Sequence, residues 1–522
     1  MTALDDIHRI AGKRDLEAEH SDAVMNEAAR WQAEPGIDDP SLVDLTHLPF
    51  CSIDEEHSKD LDQALFLEQT DGGFTVWYAI ADAAYYVRPG SALLTEAIAR
   101  GSTFYLPGLV VPMLPKVLSE DIVSINPDVD RRALVFKVSL DESGMLLGTD
   151  VMRARVHSRL KTWYDAVQAW FDGYGELPCG DDVKQSLRVL AQVGELRMDA
   201  AEERDVVQYR RAEMMVELKG ERREFVAMAD PRNECERYNE QISLMCNMEG
   251  ARLLRENASD HVQAVFRTHA APAAERMRQL DEQIDSLIKA HKLDRNVWAW
   301  DRQKRSLRRY LDGLPNEGSH GRIAEAIHRQ AMMSGGSAIF QSAPGIHFGV
   351  GADEYARFTA PMREVVGIFT HKEAWEALGV VSPEPDAADE MLREGVIAAA
   401  QRSRQLQREL DREVNRLVLD QLFTGDTEVA KDERPIRRGT VMGITRNKVH
   451  IQLDAPPIDV KLYHRHLEAQ LKAKLFTTAD QAVLRRKRGG AAVLVVGDQV
   501  DIRVAQHDRE RDRWELELVF GG

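Results

Sequence analysis

Apolar side chains between residues 3 and 33 fall at Ile7, Ile10, Leu16, Val24, Met25, Ala28 and Trp31. That spacing predicts helix, and Pro35, Gly36 and Pro40 then break it. The segment reads either as a small helix-turn-helix-like unit or as an arm packed on the body. The arm is favoured, because neither helix is notably basic. From about residue 46 to 160 the texture turns to strands, as in "FTVWYAIADAAYYV" and "ALVFKVSLDESGMLLGTDVMRARVHS". Residues 180–335 read as mainly helical, with "YNEQISLMCNMEGARLLREN" the clearest case, and a Gly-rich stretch interrupts around 333–366. A long helix follows at about 391–423, with Leu406, Leu410, Val414 and Leu417 on one stripe. The end of the chain changes again. "RRGTVMGITRNKVHIQLD", "IDVKLYHRHL" and "GDQVDIRVAQHDRERDRWELELV" are short alternating strands, the pattern of a small closed barrel. An OB-fold is the favoured form, although any five-stranded barrel fits the alternation. The expected class is therefore α+β. Its parts are a helical N-terminal segment (1–45), a mixed helix-and-strand domain (46–430) and an all-β barrel (431–522).

Composition narrows the class without changing it. A chain of 522 residues exceeds what one core supports, so two or three domains are expected. At 43 % apolar and 30 % charged it is an ordinary globular sequence. No apolar run nears the roughly 20 residues needed to span a bilayer, so no membrane partner is expected. The start, "MTALDDIHRIAGKRD", lacks the apolar core of a secretory signal. Cys51, Cys179, Cys235 and Cys246 are scattered, which argues against a zinc site or a disulfide framework and fits a reducing cytoplasm. Residues 431–522 carry 18 Lys and Arg against 13 Asp and Glu, within a chain of formal net charge −18. A basic end on an acidic body suits phosphate at one place and metal at another.

The densest acidic window is "CSIDEEHSKDLDQAL", with Asp54, Glu55, Glu56, Asp60 and Asp62 in fifteen residues. That is twice what 86 acids in 522 residues would give. Taken alone, a solvated face is the commoner meaning of such a window. The sharper reading uses geometry. Asp60 and Asp62 at i and i+2 point to one side of an extended chain, and Asp54 can meet them across a turn. Three carboxylates suit a hard Mg²⁺ ion, and two ions about 4 Å apart can activate water and stabilise a leaving oxygen.

"SIDEEHSKDLDQAL" resembles the signature of the ribonuclease II (RNB) family of exoribonucleases: Ile-Asp, a six-residue step to Asp, then x-Asp-Asp-Ala. "FYLPGLVVPMLPKVLSEDIVSI" and "HFGVGADEYARFTAPMREVVGIFTH" are similar to two further signatures, in the right order. The resemblance covers residues 46–424, and the family also ends in an OB barrel of the ribosomal-protein type. It implies a processive 3′→5′ exoribonuclease that hydrolyses single-stranded RNA to nucleoside 5′-monophosphates. Asp54, Asp60 and Asp62 match metal-binding aspartates, and Asp62 sits at the most critical of them. Gln63 stands where a further aspartate is usual; its amide oxygen could still ligate Mg²⁺, but without charge. The implied cofactor is one or two Mg²⁺ ions, with Mn²⁺ as a substitute.

Arg363 matches the family's catalytic arginine, which would steady charge on the phosphorus oxygens; the plainer role is a structural ion pair. Val365 and Gly367 replace a Tyr and an Asp common there. His347, Tyr355 and Thr359 lie in the same block, and a structural role is at least as good for each. Tyr105 and Tyr164 match base-stacking tyrosines. A further stacking phenylalanine falls near Val216, with Tyr209 a nearby substitute. Arg404, Arg408, Arg412 and Arg416 recur every four residues on the long helix. They would hold RNA phosphates, with Arg412 the best candidate, or pair with the interleaved Glu409, Asp411 and Glu413. Family members commonly carry two cold-shock barrels first, and about 45 residues precede the resemblance here, fewer than one barrel needs. Capture is then expected to rest on the terminal barrel and the arm, with greater tolerance of structured RNA. No obligate protein partner is evident. The rival is an RNA-binding regulator whose chemistry was weakened at Gln63.

Overall fold

The computed structural model describes residues 2–207, 213–220, 224–258, 261–380 and 386–520; Tyr209 lies outside them. Its first sheet is built on one long strand, Leu146–Trp163. The first part of that strand runs antiparallel to Asp130–Leu140, and its last part runs parallel to Phe50–Asp54. Strands Gln63–Thr70 and Gly73–Ala81 fill the gap, so the sheet closes on itself. Val43–Asp44 adds a short parallel pairing outside the ring. Closure leaves few open edges. It also explains the near-continuous burial of Gly73–Ala81, which faces core on one side and helices on the other. Helix Asp181–Glu203 covers this sheet, and the Ser186 hydroxyl accepts the Leu67 amide at 2.8 Å.

Both N-terminal helices pack on the body. Asp22–Ala33 buries Val24 and Ala28 in the core of the first sheet, and Glu27 caps helix Ala92–Arg100 by accepting the Ala92 amide at 2.9 Å. Ala3–Gly12 buries Ile7 and Ile10, and the following Arg14 pairs with Glu409 and Glu413. Those two acids belong to helix Asp386–Asp426, which at 41 residues is about 60 Å long. Its Val396, Ala399 and Ala400 enter the first core, and its Leu410, Val414 and Phe423 enter a second. One rigid element thus joins the two halves.

The C-terminal sheet runs in the order Asp459–Tyr463, Lys448–Leu453, Arg437–Ile444, Gln499–Asp508, Arg513–Leu518. Its two outer strands lie against each other, which is the strand order of an OB-fold. A small three-stranded sheet within residues 475–495 is inserted after helix His464–Leu471.

The α+β class holds, with local corrections. "IDVKLYHRHL" is strand only to Tyr463 and then turns helical, and "FTVWYAIADAAYYV" leaves the sheet at Ala81 for the short helix Ala83–Tyr86. The helical stretch 180–335 also contains the hairpin Glu213–Lys219 with Glu224–Asp230, and strand Phe266–Thr268. β-branched residues are too sparse in these short pieces to outweigh the helical pattern around them. Among the described residues no helix is long and apolar enough to cross a membrane.

Candidate active site

The acidic window forms the turn between strands Phe50–Asp54 and Gln63–Thr70. Lys161 Nζ pins it by donating to the carbonyls of Glu56 (2.9 Å) and Ser58 (2.6 Å). Ser124 Oγ accepts the Leu61 amide at 2.9 Å and donates to the Lys59 carbonyl at 2.8 Å. The backbone that carries Asp60 and Asp62 is therefore held on both sides.

A second loop brings Arg363 to meet it. Asn247, fully buried on helix Glu234–Glu256, organises that loop. Its Nδ2 donates to Tyr355 Oη (2.9 Å) and Thr359 Oγ1 (3.0 Å), and its Oδ1 accepts the Phe358 amide at 2.7 Å. On the far side the Thr103 amide donates to the Arg363 carbonyl at 2.9 Å, and the Val365 amide to the Gly101 carbonyl at 3.1 Å.

At the meeting point Arg363 Nε donates to Asp62 Oδ2 at 2.6 Å, and the Met362 amide donates to Asp62 Oδ1 at 2.9 Å. Asp62 is 1 % exposed. Burial pushes its carboxyl up to about 6; Arg363 and the Met362 amide oppose that, and Asp60 adds to it. Burial also raises Asp60, against the pull of Arg363. Burial alone would weaken the Arg363 charge, but Asp62, with Asp54 and Asp60, reverses this and holds the guanidinium firmly protonated. Tyr105 Oη donates to Asp60 Oδ2 at 3.2 Å, and the residue is 47 % exposed beside Arg363. Tyr164, largely buried, has its hydroxyl held by Asn239 Nδ2 at 3.1 Å, and Asp54 and Arg363 both act on it.

Not every expected residue is aimed inward. Asp54 is held at the turn by the Glu55 amide (2.8 Å) and the Ser58 hydroxyl (3.1 Å). Asp54, Asp60 and Asp62 gather around Arg363, but their oxygens do not all come within 4.8 Å of one another. Each is tied to its own donor, and like charges keep apart. Gln63 turns into the core: Tyr78 Oη donates to its Oε1, and its Nε2 donates to the Thr359 carbonyl. Arg412 stands exposed, with Nε donating to the Arg408 carbonyl at 3.0 Å, and it does not line the cavity beside Arg363. Val216 sits half-buried on its hairpin, paired with Ala227. Among the described residues, the acids whose oxygens do cluster are Glu373, Glu376 and Asp389, and there Lys372 Nζ already lies 2.7–2.9 Å from each.

Residues 42–379 match the family model described as the RNB domain. The chain belongs to the RNB domain family. Ribonuclease R of Vibrio parahaemolyticus is 31 % identical over 334 residues, covering 63 % of this chain and 38 % of that protein. Exoribonuclease 2 of Edwardsiella piscicida is 32 % identical over 377 residues, covering 70 % and 55 %. The chain thus spans about half, or less, of these relatives' length. In fold it is similar to Mycoplasma genitalium RNase R in complex with ribose methylated single-stranded RNA. That match has a TM-score of 0.86 at 22 % identity and covers 99 % of this chain and 78 % of the other. Yeast Ssd1, a pseudonuclease, has a TM-score of 0.62 at 14 % identity, covering 85 % and 52 %.

Four residues beside Arg363 escaped the sequence reading: Asn247, Arg267, Arg357 and Glu364, the last two paired with Nε–Oε1 at 3.0 Å. Only Asn247 left a signal, as a polar residue on the apolar face of its helix. The donor chemistry of the site suits a divalent cation. Asp54, Asp60 and Asp62 offer only oxygen, and among the described residues only Asp62 of the three has an ion pair, with Arg363.

Proposed function

We propose that this RNB protein shortens single-stranded RNA from its 3′ end, processively, releasing nucleoside 5′-monophosphates. The observation that carries the reading is the Arg363 guanidinium held 2.6 Å from a fully buried Asp62, with Asp54 and Asp60 around it. Asp54, Asp60 and Asp62 would hold one or two divalent cations, Mg²⁺ by donor type with Mn²⁺ as a substitute. A bound cation supplies an activated water and charge neutralisation at the leaving oxygen. Arg363, already protonated and fixed by its backbone, stabilises charge on the equatorial phosphorus oxygens without reorganising. Tyr105 offers an exposed ring for a terminal base, and Tyr164, close enough to feel the Asp54 and Arg363 charges, would stack a second. Contacts to the 2′-hydroxyl would favour RNA over DNA. Arg412 would meet phosphate farther along the long helix, and structured RNA with a free 3′ end falls within the substrate class. Four free cysteines suit work in a reducing cytoplasm.

A second reading, an RNA-binding regulator without hydrolysis, draws on Gln63, whose amide is spent on core hydrogen bonds. One assay separates the two. With 5′-labelled RNA and DNA oligomers in Mg²⁺, the wild type should give an RNA ladder that Asp62→Asn abolishes. RNA that is bound but left intact by the wild type would support the regulator and overturn the nuclease.

A further inference from the structure

Beside Arg363 lies a cavity of about 370 Å³, walled by the hairpin that carries Tyr105, the Arg363 loop and the long helix. Arg267, Arg357, Arg363 and Arg404 line it, against a single acid, Glu364. Arg357 takes Glu364, with Nη2–Oε1 at 2.9 Å, and Arg363 takes Asp62. Arg267 and Arg404 form no ion pair among the described residues. Arg404 has one weak hydrogen bond, to the Ala338 carbonyl at 3.4 Å, and Arg267 Nε is buried without a partner. Both guanidinium carbons lie near the Phe340 ring, 5.9 and 5.6 Å from its centroid, and that attraction offsets only part of the missing counter-ion. Burial and the neighbouring Arg267 push the Arg404 pKa down to about 10. Two half-buried cations that repel each other in a concave site leave a place for an anion.

We propose that Arg267 and Arg404 form a subsite for the RNA backbone phosphate adjoining the scissile linkage. The inference rests on the RNA-cleaving reading above and deepens it. The guanidinium fork matches the tetrahedral oxygens of a phosphodiester, and the cavity opens directly onto Tyr105 and Arg363, so the phosphate it receives is the neighbour of the one being cut. The four arginines line this cavity and Asp54, Asp60 and Asp62 do not, so a polyanion threaded past Arg363 is drawn toward the cavity.

The test uses the full chain in metal-free buffer, where RNA binds without being shortened. Oligomers carry a single neutral methylphosphonate at successive linkages from the 3′ end. For wild type, one linkage next to the terminal one should lower affinity about tenfold. In Arg404→Gln and Arg267→Gln the affinity should fall by a similar factor, and methylphosphonate at that linkage should add no further loss. The slope of log affinity against log salt should shrink by about 0.7 for the lost contact. The thermal midpoint of each RNA-free variant should hold or rise, because a repelling cation has gone; a structural arginine would lower it. A variant that keeps the wild-type sensitivity at every linkage, or that melts earlier, overturns the subsite. A wild type that binds with this linkage pattern yet never shortens RNA in Mg²⁺ sinks the nuclease reading instead.

Discussion

Metal capture at this site should be strongly pH-dependent, because Asp62 must give up a proton that its surroundings help it keep. Burial and Asp60 hold its carboxyl up to about 6, despite Arg363 and the Met362 amide. The ionised fraction is then about nine-tenths at pH 7 and one-tenth at pH 5, so apparent Mg²⁺ or Mn²⁺ affinity should fall about tenfold between them. The sign for stability follows from the same shift. The folded carboxyl binds its proton more tightly than the unfolded one, with its model value of 3.8. Metal-free stability is therefore greatest below that value and falls as pH rises through about 6, by about 3 kcal/mol. Arg363→Gln sharpens the test. A unit charge about 4 Å away at an effective dielectric near 20 is worth about 4 kcal/mol, or about 3 pH units. Without the guanidinium, Asp62 should stay protonated at pH 7, and metal should be lost together with transition-state stabilisation. Calorimetric titration of Mn²⁺ from pH 5 to 9, in buffers of different ionisation enthalpy, reads both affinity and proton release. A wild-type affinity flat from pH 5 to 7.5, or an Arg363→Gln affinity equal to wild type at pH 7, would refute the reasoning.

Four further outcomes are expected. Tyr105→Ala should raise KM for RNA by about tenfold or more through lost stacking, worth about 1–3 kcal/mol per base, whereas Tyr105→Phe keeps the ring and should change KM little. Gln63→Asp should lower the Mg²⁺ concentration needed for half-activity, while costing about 1–3 kcal/mol in urea unfolding, because the Thr359 carbonyl loses its donor. Lys372→Met should cost about 3–5 kcal/mol by leaving Glu373, Glu376 and Asp389 crowded. Burial holds the wild-type Glu373 carboxyl up to about 8, so its share of stability is present at acid pH and lost as pH rises through 8; circular dichroism across pH reads both effects. Gly101→Ala should destabilise by about 1–3 kcal/mol and depress activity. Its φ is +78°, and a Cβ there would meet the Ala399 carbonyl oxygen at 2.6 Å.

Much of the fold was legible because the strands around Val76 and Val135 are rich in apolar β-formers, and because the long helix keeps its stripe over many turns. The closure of the first sheet was not. Leu146–Trp163 reads as one uniform strand, and nothing local shows that its halves pair with neighbours running in opposite directions. The same limit governs the site. Asp62 and Arg363 stood out through their motifs, whereas Arg267 and Asn247 gain meaning only from residues far along the chain. Four arginines at equal spacing look equivalent on a helix, and partners on other elements separate them. Arg416 is taken by Asp512, and Arg14 occupies Glu409 and Glu413, the acids expected to neutralise the stripe. Arg404 alone of the four lines the cavity.

The three residues expected to depart from the resemblance, Gln63, Val365 and Gly367, all adjoin the loop that carries Arg363. Gln63 Nε2 donates to the Thr359 carbonyl, which a carboxylate could not do, and so ties the strand after Asp62 to the loop that ends at Arg363. Gly367 sits where a Cβ would come within 2.7 Å of the Pro361 Cα, so this loop path leaves no room for an aspartate there. Val365 is fully buried, filling apolar space where a tyrosine hydroxyl would need a partner. Val365 and Gly367 leave out polar groups that this loop could not accommodate, and Gln63 adds a donor that fixes its position. The charge missing at Gln63 is thereby exchanged for a bond that sets where the guanidinium stands relative to Asp62. A site altered in this way should show its difference first in the metal concentration it needs and only secondarily in the rate at saturating metal, because Asp62 and Arg363 keep their 2.6 Å contact throughout.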